Sequence, residues 1–353
     1  ILYFGNKQFS SNINKIRQNS KDSSTSTIIK ISYSILKKIY RFLFKTFSWP
    51  DYAMFWVFTI YRNRRSIKND FDIIISVSLP FTSHLCAHIL KKRISAEWYM
   101  DIGDPFTLKI NSPENNKIIF SYLNQFFERK FYQNASKIIF THNEVAEQHK
   151  KKFKIDRSKI IIGYPIASLN EAIIKKSLFF NYKSTPLKIG YFGAFTKSVR
   201  EPKNYIINIA NSLGDNINHE WYINEESKKY FSSINDVSLH QFFDILPRDL
   251  ALEVMVDKIH ILLSIGNFNK YQMPSKVVEY LSLGKPVLHY AEIADDPFYN
   301  FEKLFNNLKI INNETTKNEL ENYFEFVKEQ RLELNFENFN NKFSASKIVN
   351  DLI

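Results

Sequence analysis

The sequence predicts an α/β protein built as two doubly wound domains, each a parallel sheet flanked by helices. Three observations carry this reading. Runs such as 71–78 and 258–265 are apolar and rich in β-branched residues, as buried parallel strands are. Strand-like and helix-like stretches alternate, and they do so twice along the chain. The 353 residues suffice for two cores of ordinary size. Hydrophobic residues make up 44% of the chain, a globular composition, and the net charge of +12 calls for an anionic partner: nucleic acid, nucleotide or an acidic membrane face. Cys86 is the one cysteine, which excludes an intramolecular disulfide and fits a reducing compartment. No run of eighteen uncharged apolar residues exists, so no transmembrane helix is expected, and neither a signal peptide nor an internal repeat is legible.

Taken in order, residues 1–4 suit an opening strand and residues 8–27 a polar loop. From Ile28 to Phe47, Ile28, Ile31, Ile35, Ile39 and Phe42 recur at helical steps, while Lys30, Lys37, Lys38, Arg41 and Lys45 fall on the other side. This basic amphipathic helix reads either as one lying on anionic lipid or as a domain helix facing its core. Residues 28–65 hold eight basic residues and one acid, a local excess that favours an acidic membrane surface. The run 71–78 reads as a buried strand, followed by a loop and a helix to Leu90. His84 in that loop is a site candidate, because ligands bind at the carboxyl ends of parallel strands. His88 follows four residues later; the pair reads as packing, and no metal is invoked.

Trp98 to Asp101 reads as a strand, with Asp101 and Asp104 at its end. Two carboxylates there can orient an acceptor hydroxyl or take its proton, or else Asp104-Pro105 makes a turn that Asp101 caps. A helix over 118–134, a strand over 137–140, a capping box Thr141-x-x-Glu144 and a strand over 160–162 complete a first domain of residues 1–168. The second domain, 169–339, opens with a strand over 187–192 closed by Gly193. The loop after it carries Arg200, suited to phosphate oxygens or simply solvated, and Pro202 opens the following helix, which holds Lys203 and ends near Gly214. Strands over 219–223 and 238–243, a helix over 247–256 and the strand 258–265 lead to residues 272–287, with helices near 318–331 and 344–353 beyond.

In 272–287, Pro274 fits the first position of a short helix, Gly284 the residue past its end, and Val287 to Tyr290 a strand. Ser275 and Lys276 fall in the first turn, where free N–H groups and the helix dipole favour a phosphate, and Glu279 lies one turn on, able to accept from a ribose diol. An ordinary capped helix with a surface Lys–Glu pair is the alternative.

The segment Gln272-x-Pro274-Ser275-Lys276-x-x-Glu279-Tyr280-Leu281-x-x-Gly284-Lys285-Pro286 resembles the donor-site helix of GT-B glycosyltransferases of the retaining, nucleotide-sugar-dependent family 4. The resemblance spans roughly 70–290, with Asp101-x-x-Asp104-Pro105 and the Gly193–Arg200 loop adding to it. It implies two Rossmann-like domains facing a cleft, a terminal helix at about 340–353 crossing back to the first domain, and donor contacts from Gly193, Arg200, Lys203, Ser275, Lys276 and Glu279. It places His84, Asp101 and Asp104 on the acceptor side as catalytic residues. The implied reaction moves a hexose or hexosamine from a nucleotide diphosphate sugar, a UDP-sugar foremost, to a glycan or lipid-linked acceptor of envelope polysaccharide synthesis. It retains configuration, needs neither cofactor nor metal, and takes place in the cytoplasm or on the inner face of the membrane. Many members carry a second Glu eight positions before the first, where this chain has Tyr271. That departure keeps open an inactive partner subunit, beside an epimerase of the same fold. The charge permits a nucleic-acid partner, but no recognisable binding module is present, so none is expected.

Overall fold

In a computed structural model, residues 46–109, 114–214, 216–232, 239–329 and 334–352 are described; the opening strand and the amphipathic stretch 28–45 lie outside them. Contacts divide the chain into two compact units, 1–138 and 139–353. The strands are β1 (Ile73–Ser78), β2 (Glu97–Ile102), β3 (Lys137–Phe140), β4 (Ile160–Ile162), β5 (Leu187–Phe192), β6 (Ile217–Tyr222), β7 (His240–Phe243), β8 (Ile261–Ile265), β9 (Val287–Tyr290) and β10 (Leu308–Ile311). They form a four-stranded sheet in the order β1-β2-β3-β4 and a six-stranded sheet in the order β10-β9-β8-β5-β6-β7.

In the first sheet β1 runs parallel to β2, with Val77 opposite Asp101. Helix α1 (Trp56–Asn63) precedes β1, α2 (Thr82–Lys91) follows it, and α3 (Lys117–Asn134) follows β2. Among the described residues the apolar run at β1 pairs on one side only, with β2, and its two faces differ: Ile75 is 63% exposed while Ser76 is buried. Beneath it Phe81 stacks on Phe106 at 3.8 Å, and Trp98 meets the edge of Phe131. After β3, α4 (Asn143–Phe153) begins without the anticipated capping box, since His142 is the N-cap and its side chain makes no cap bond. Glu144 instead accepts from Gln148 and pairs with Lys270.

The six-stranded sheet explains the continuous apolar runs. Every residue of β8 and β9 is buried, and the core splits into two clusters, one on each face. On one face Trp221, Tyr191 and Tyr205 pack together, Tyr205 coming from α6 (Lys203–Asn208). On the other, α9 (Ser275–Ser282) buries Val277, Val278 and Leu281 against Leu262 and Val287. Between these helices lie α7 (Glu225–Lys228) and α8 (Arg248–Asp257). Several elements were not anticipated, among them α1, α5 (Glu171–Leu178), α7, β10, and α11 (Phe336–Phe343), which follows α10 (Lys317–Lys328). The last helix, α12 (Ala345–Leu352), meets β4's end, Ile348 lying beside Gly163. Among the described residues no helix is long and apolar enough to cross a membrane.

Strand order locates the ligand-prone edge. β5 pairs with β6 on one side and with β8 on the other, so the chain reverses its direction of winding there. The carboxyl ends of strands at such a reversal leave a crevice between loops that diverge to opposite faces.

Candidate functional site

Gly193 follows β5 and Gly266 follows β8, so both loops leave the sheet at the reversal. Gly193 has φ +150°, and a Cβ built on it would lie 3.0 Å from Lys276 Cε and 3.7 Å from its Nζ. The lysine stem therefore crosses where any other residue would place its side chain, which is the close approach that requires glycine. Lys276 lies in the first turn of α9, one residue after exposed Ser275, and Pro274 is the N-cap without a side-chain cap bond. Proline thus stands one position earlier than its usual place at the first helical residue. Val277 N–H reaches back to Pro274 O at 3.4 Å, and helix geometry leaves the N–H groups of Ser275 and Lys276 without intrahelical partners.

The loop from Gly193 to Pro202 is folded on itself: Thr196 and Arg200 exchange backbone bonds of 3.0 and 2.9 Å. Phe268 N–H donates to Val199 O at 2.9 Å, joining this loop to the one after β8. Arg200 Nε and Nη2 both donate to Asn267 Oδ1, at 3.1 and 3.0 Å, and Asn267 Nδ2 donates to Gln272 O at 2.9 Å. Asn267 thereby aims the guanidinium while bracing the turn that leads into α9.

Burial lowers the Lys276 pKa, the Arg200 charge lowers it further, and Glu279 opposes them. Among the described residues no carboxylate lies within ion-pair distance of Lys276. Two cations held together, one partly desolvated, make a place where an anion is stabilising. Glu279, half-buried, stands one turn on from Lys276. Lys203 is exposed on the first turn of α6 and makes no hydrogen bond or ion pair among the described residues.

Sequence reasoning missed a second polar group at the same edge. Asn204 Nδ2 donates to Glu292 Oε2 at 2.8 Å, while Oε1 of that carboxyl is buried without a partner. Burial raises the Glu292 pKa to about 7, the Asn204 bond opposing and the Glu201 charge reinforcing the shift. Asp296 Oδ2 lies 3.2 Å from His289 Nε2. Burial alone would raise the Asp296 pKa, but His289 and the N–H of Phe298 outweigh it and hold it low. A place just beyond β9 is the one signal that could have pointed to Glu292.

The candidates of the first unit fall in different settings. His84 is in the first turn of α2 and 0% exposed. Its Nδ1 lies 2.7 Å from Ser76 Oγ, which also accepts from Trp98 Nε1 at 2.8 Å, and burial lowers its pKa to about 3. It is a neutral imidazole inside the unit, not a loop residue open to a ligand. His88 packs between the rings of Trp98 and Phe131. Asp101 is half-exposed between buried Met100 and Ile102 at the end of β2, and burial raises its pKa. Ser78 Oγ donates to the backbone oxygen of Asp104 at 3.1 Å, tying the end of β1 to the turn after β2. His84 and Asp101 share no hydrogen bond. Among the described residues no group of three or more His, Cys, Asp and Glu is placed to hold a metal ion.

No family model matches the chain, and no curated protein does. Solved structures do match. Sucrose-phosphate synthase from Thermosynechococcus elongatus shares 11% identity over 84% of this chain and 74% of its own, with a TM-score of 0.57. Anabaena HepE in complex with UDP and glucose shares 10% over 83% and 79%, with a TM-score of 0.56. A glycosyltransferase from Rickettsia africae shares 13% over 84% and 80%, with a TM-score of 0.55. At these identities the likeness establishes the fold, which is GT-B.

Proposed function

We propose that this chain is a glycosyltransferase that moves a hexose or hexosamine from a nucleotide diphosphate sugar, a UDP-sugar foremost, to a glycan or lipid-linked acceptor of envelope polysaccharide synthesis. The observation that carries the reading is Lys276 laid across Gly193 beside Arg200, at the edge where the six-stranded sheet reverses. As the bond from anomeric carbon to phosphate oxygen breaks, negative charge gathers on the leaving diphosphate. Arg200, Lys276 and the N–H groups opening α9 offset that charge without a metal. The Glu279 carboxylate accepts from the ribose diol, and Ser275 adds a hydroxyl to the phosphate side. On the acceptor side Asp101, with its raised pKa, receives the hydroxyl proton, and Asp104 shares its turn. Sealed behind Ser76, His84 takes no part in the chemistry of this scheme. Transfer proceeds with retention, in the cytoplasm or at the inner membrane face, where the basic stretch 28–65 favours an acidic surface.

A thermal-shift screen against UDP, GDP, CMP, ADP and their sugars, in chelator and then in Mg²⁺, tests this reading. One nucleotide is expected to stabilise the protein, to do so in chelator, and to fail with Lys276→Ala. No shift with any of them would move the chain to the inactive partner subunit, a reading that Tyr271, eight positions before Glu279, favours.

A further inference from the structure

We propose that α3 of the first unit, with residues 46–65 that meet it through Trp49, forms a docking surface for an anionic lipid bilayer; this deepens the membrane-face setting proposed above and rests on it, and it does not depend on the donor site. On α3, Ile118 is 95%, Tyr122 92% and Phe126 59% exposed, and their spacing of four places them along one face. On α1, Phe58 is 70% and Tyr61 57% exposed. Soluble surfaces scatter such residues singly; a helix face of them marks an interface. The segment leading into α1 is tied to α3: Phe126 meets Phe127 edge to face at 5.3 Å, Phe127 lies 4.8 Å from Trp49, and Trp49 Nε1 donates to Asn124 Oδ1 at 2.9 Å.

The charge on these elements has one sign outside. Residues 46–65 and 117–134 contain two carboxylates, Asp51 and Glu128, and both are 0% exposed. Asp51 is bonded to Thr82, and Glu128 to Thr107 and Tyr132. Arg62, Arg65 and Arg129 remain exposed. The Arg64 guanidinium lies 3.6 Å over the Tyr61 ring, and Lys130 Nζ lies 5.7 Å from that of Phe126. Aromatic side chains fringed by cations, with no outward carboxylate, complement acyl chains beneath anionic headgroups. A second copy would bring the same cations against these and be repelled, so the lipid surface is the better occupant.

The test is sedimentation of the full chain with vesicles of phosphatidylcholine alone or mixed with phosphatidylglycerol. Binding is expected only to the mixed vesicles, and it should weaken as salt is added. Ile118→Ser with Tyr122→Ser should lower the partition coefficient about tenfold or more, as should Arg62→Ser, Arg65→Ser and Arg129→Ser together, with melting curves unchanged. Absence of binding by the parent chain, equal binding to both vesicle types, or binding indifferent to the Ile118/Tyr122 pair each overturns the proposal. So does a dimer in solution that the same pair converts to monomer, which would assign the face to a second copy. An environment-sensitive dye on Ile118→Cys separates the remaining occupant: emission already blue-shifted before lipid is added would mean that the chain itself covers the face.

Discussion

At the level of single residues, the contact between Gly193 and Lys276 decides whether two cations can share one partly dry corner. Gly193→Ala puts a methyl group 3.0 Å from Lys276 Cε at a backbone φ of +150°. The expected cost is about 1–3 kcal/mol of stability together with weakened nucleotide binding, read by thermal unfolding and titration calorimetry; wild-type affinity in this variant would show that the lysine's path is irrelevant. Replacing Arg200 by Ala removes charge-assisted bonds of about 1–3 kcal/mol each, and titration calorimetry should show nucleotide affinity falling correspondingly. Glu292 offers a pH test. Its pKa is about 7 in the fold against an ordinary 4.5, so the folded state holds the proton more tightly. Stability from this group is therefore present below about pH 4.5 and lost as pH rises to 7. Glu292→Gln should lack that decline, and parallel melting profiles of the two proteins across the window would refute the shift. Arg200 and Lys276 were legible in the sequence because residue type, a preceding strand and helix punctuation name their chemistry locally. Asn267 and Glu292 were not, since their partners lie 67 and 88 residues away.

Among the elements, α2 shows how a helix start can be satisfied from afar. Its N-cap Phe81 offers no capping side chain, and Asp51, 31 residues upstream, accepts from Thr82 N–H and Thr82 Oγ1 at 2.8 and 2.7 Å. Asp51→Ala strands these buried donors and should cost about 1–3 kcal/mol, while Asp51→Asn, which keeps one acceptor oxygen, should cost less; equal melting temperatures for wild type and Asp51→Ala would contradict this role. Local pattern succeeds or fails here for identifiable reasons. Thr141 and Glu144 have the spacing of a capping box, yet Lys270 and Gln148 engage the glutamate. Thr316 and Glu319 have the same spacing and form the box, and among the described residues no ion pair draws the acid away. Strand β1, paired on one side only among the described residues, reads in sequence like β8, which has neighbours on both sides, because composition does not report strand pairing.

For the whole molecule, two compact units with separate cores should unfold in two calorimetric transitions. A nucleotide at a hundred times its dissociation constant adds about 2.7 kcal/mol to the state that binds it. Only the transition of residues 139–353 should move, and Lys276→Ala should abolish that movement; a shift of both transitions together would mean that the units unfold as one. The sequence by itself determined the alternation of strands and helices, the glycines and cations of the donor loop, and the cationic bias of 28–65, because each rests on residue type and on periods of two or four residues. Only the tertiary structure decided that β5 pairs with β8, that Asn267 orients Arg200, and that His84 is enclosed while Asp101 keeps an exposed edge. Those outcomes depend on which distant segments pack together, and burial and hydrogen-bond partners are properties of that packing rather than of neighbours in the chain.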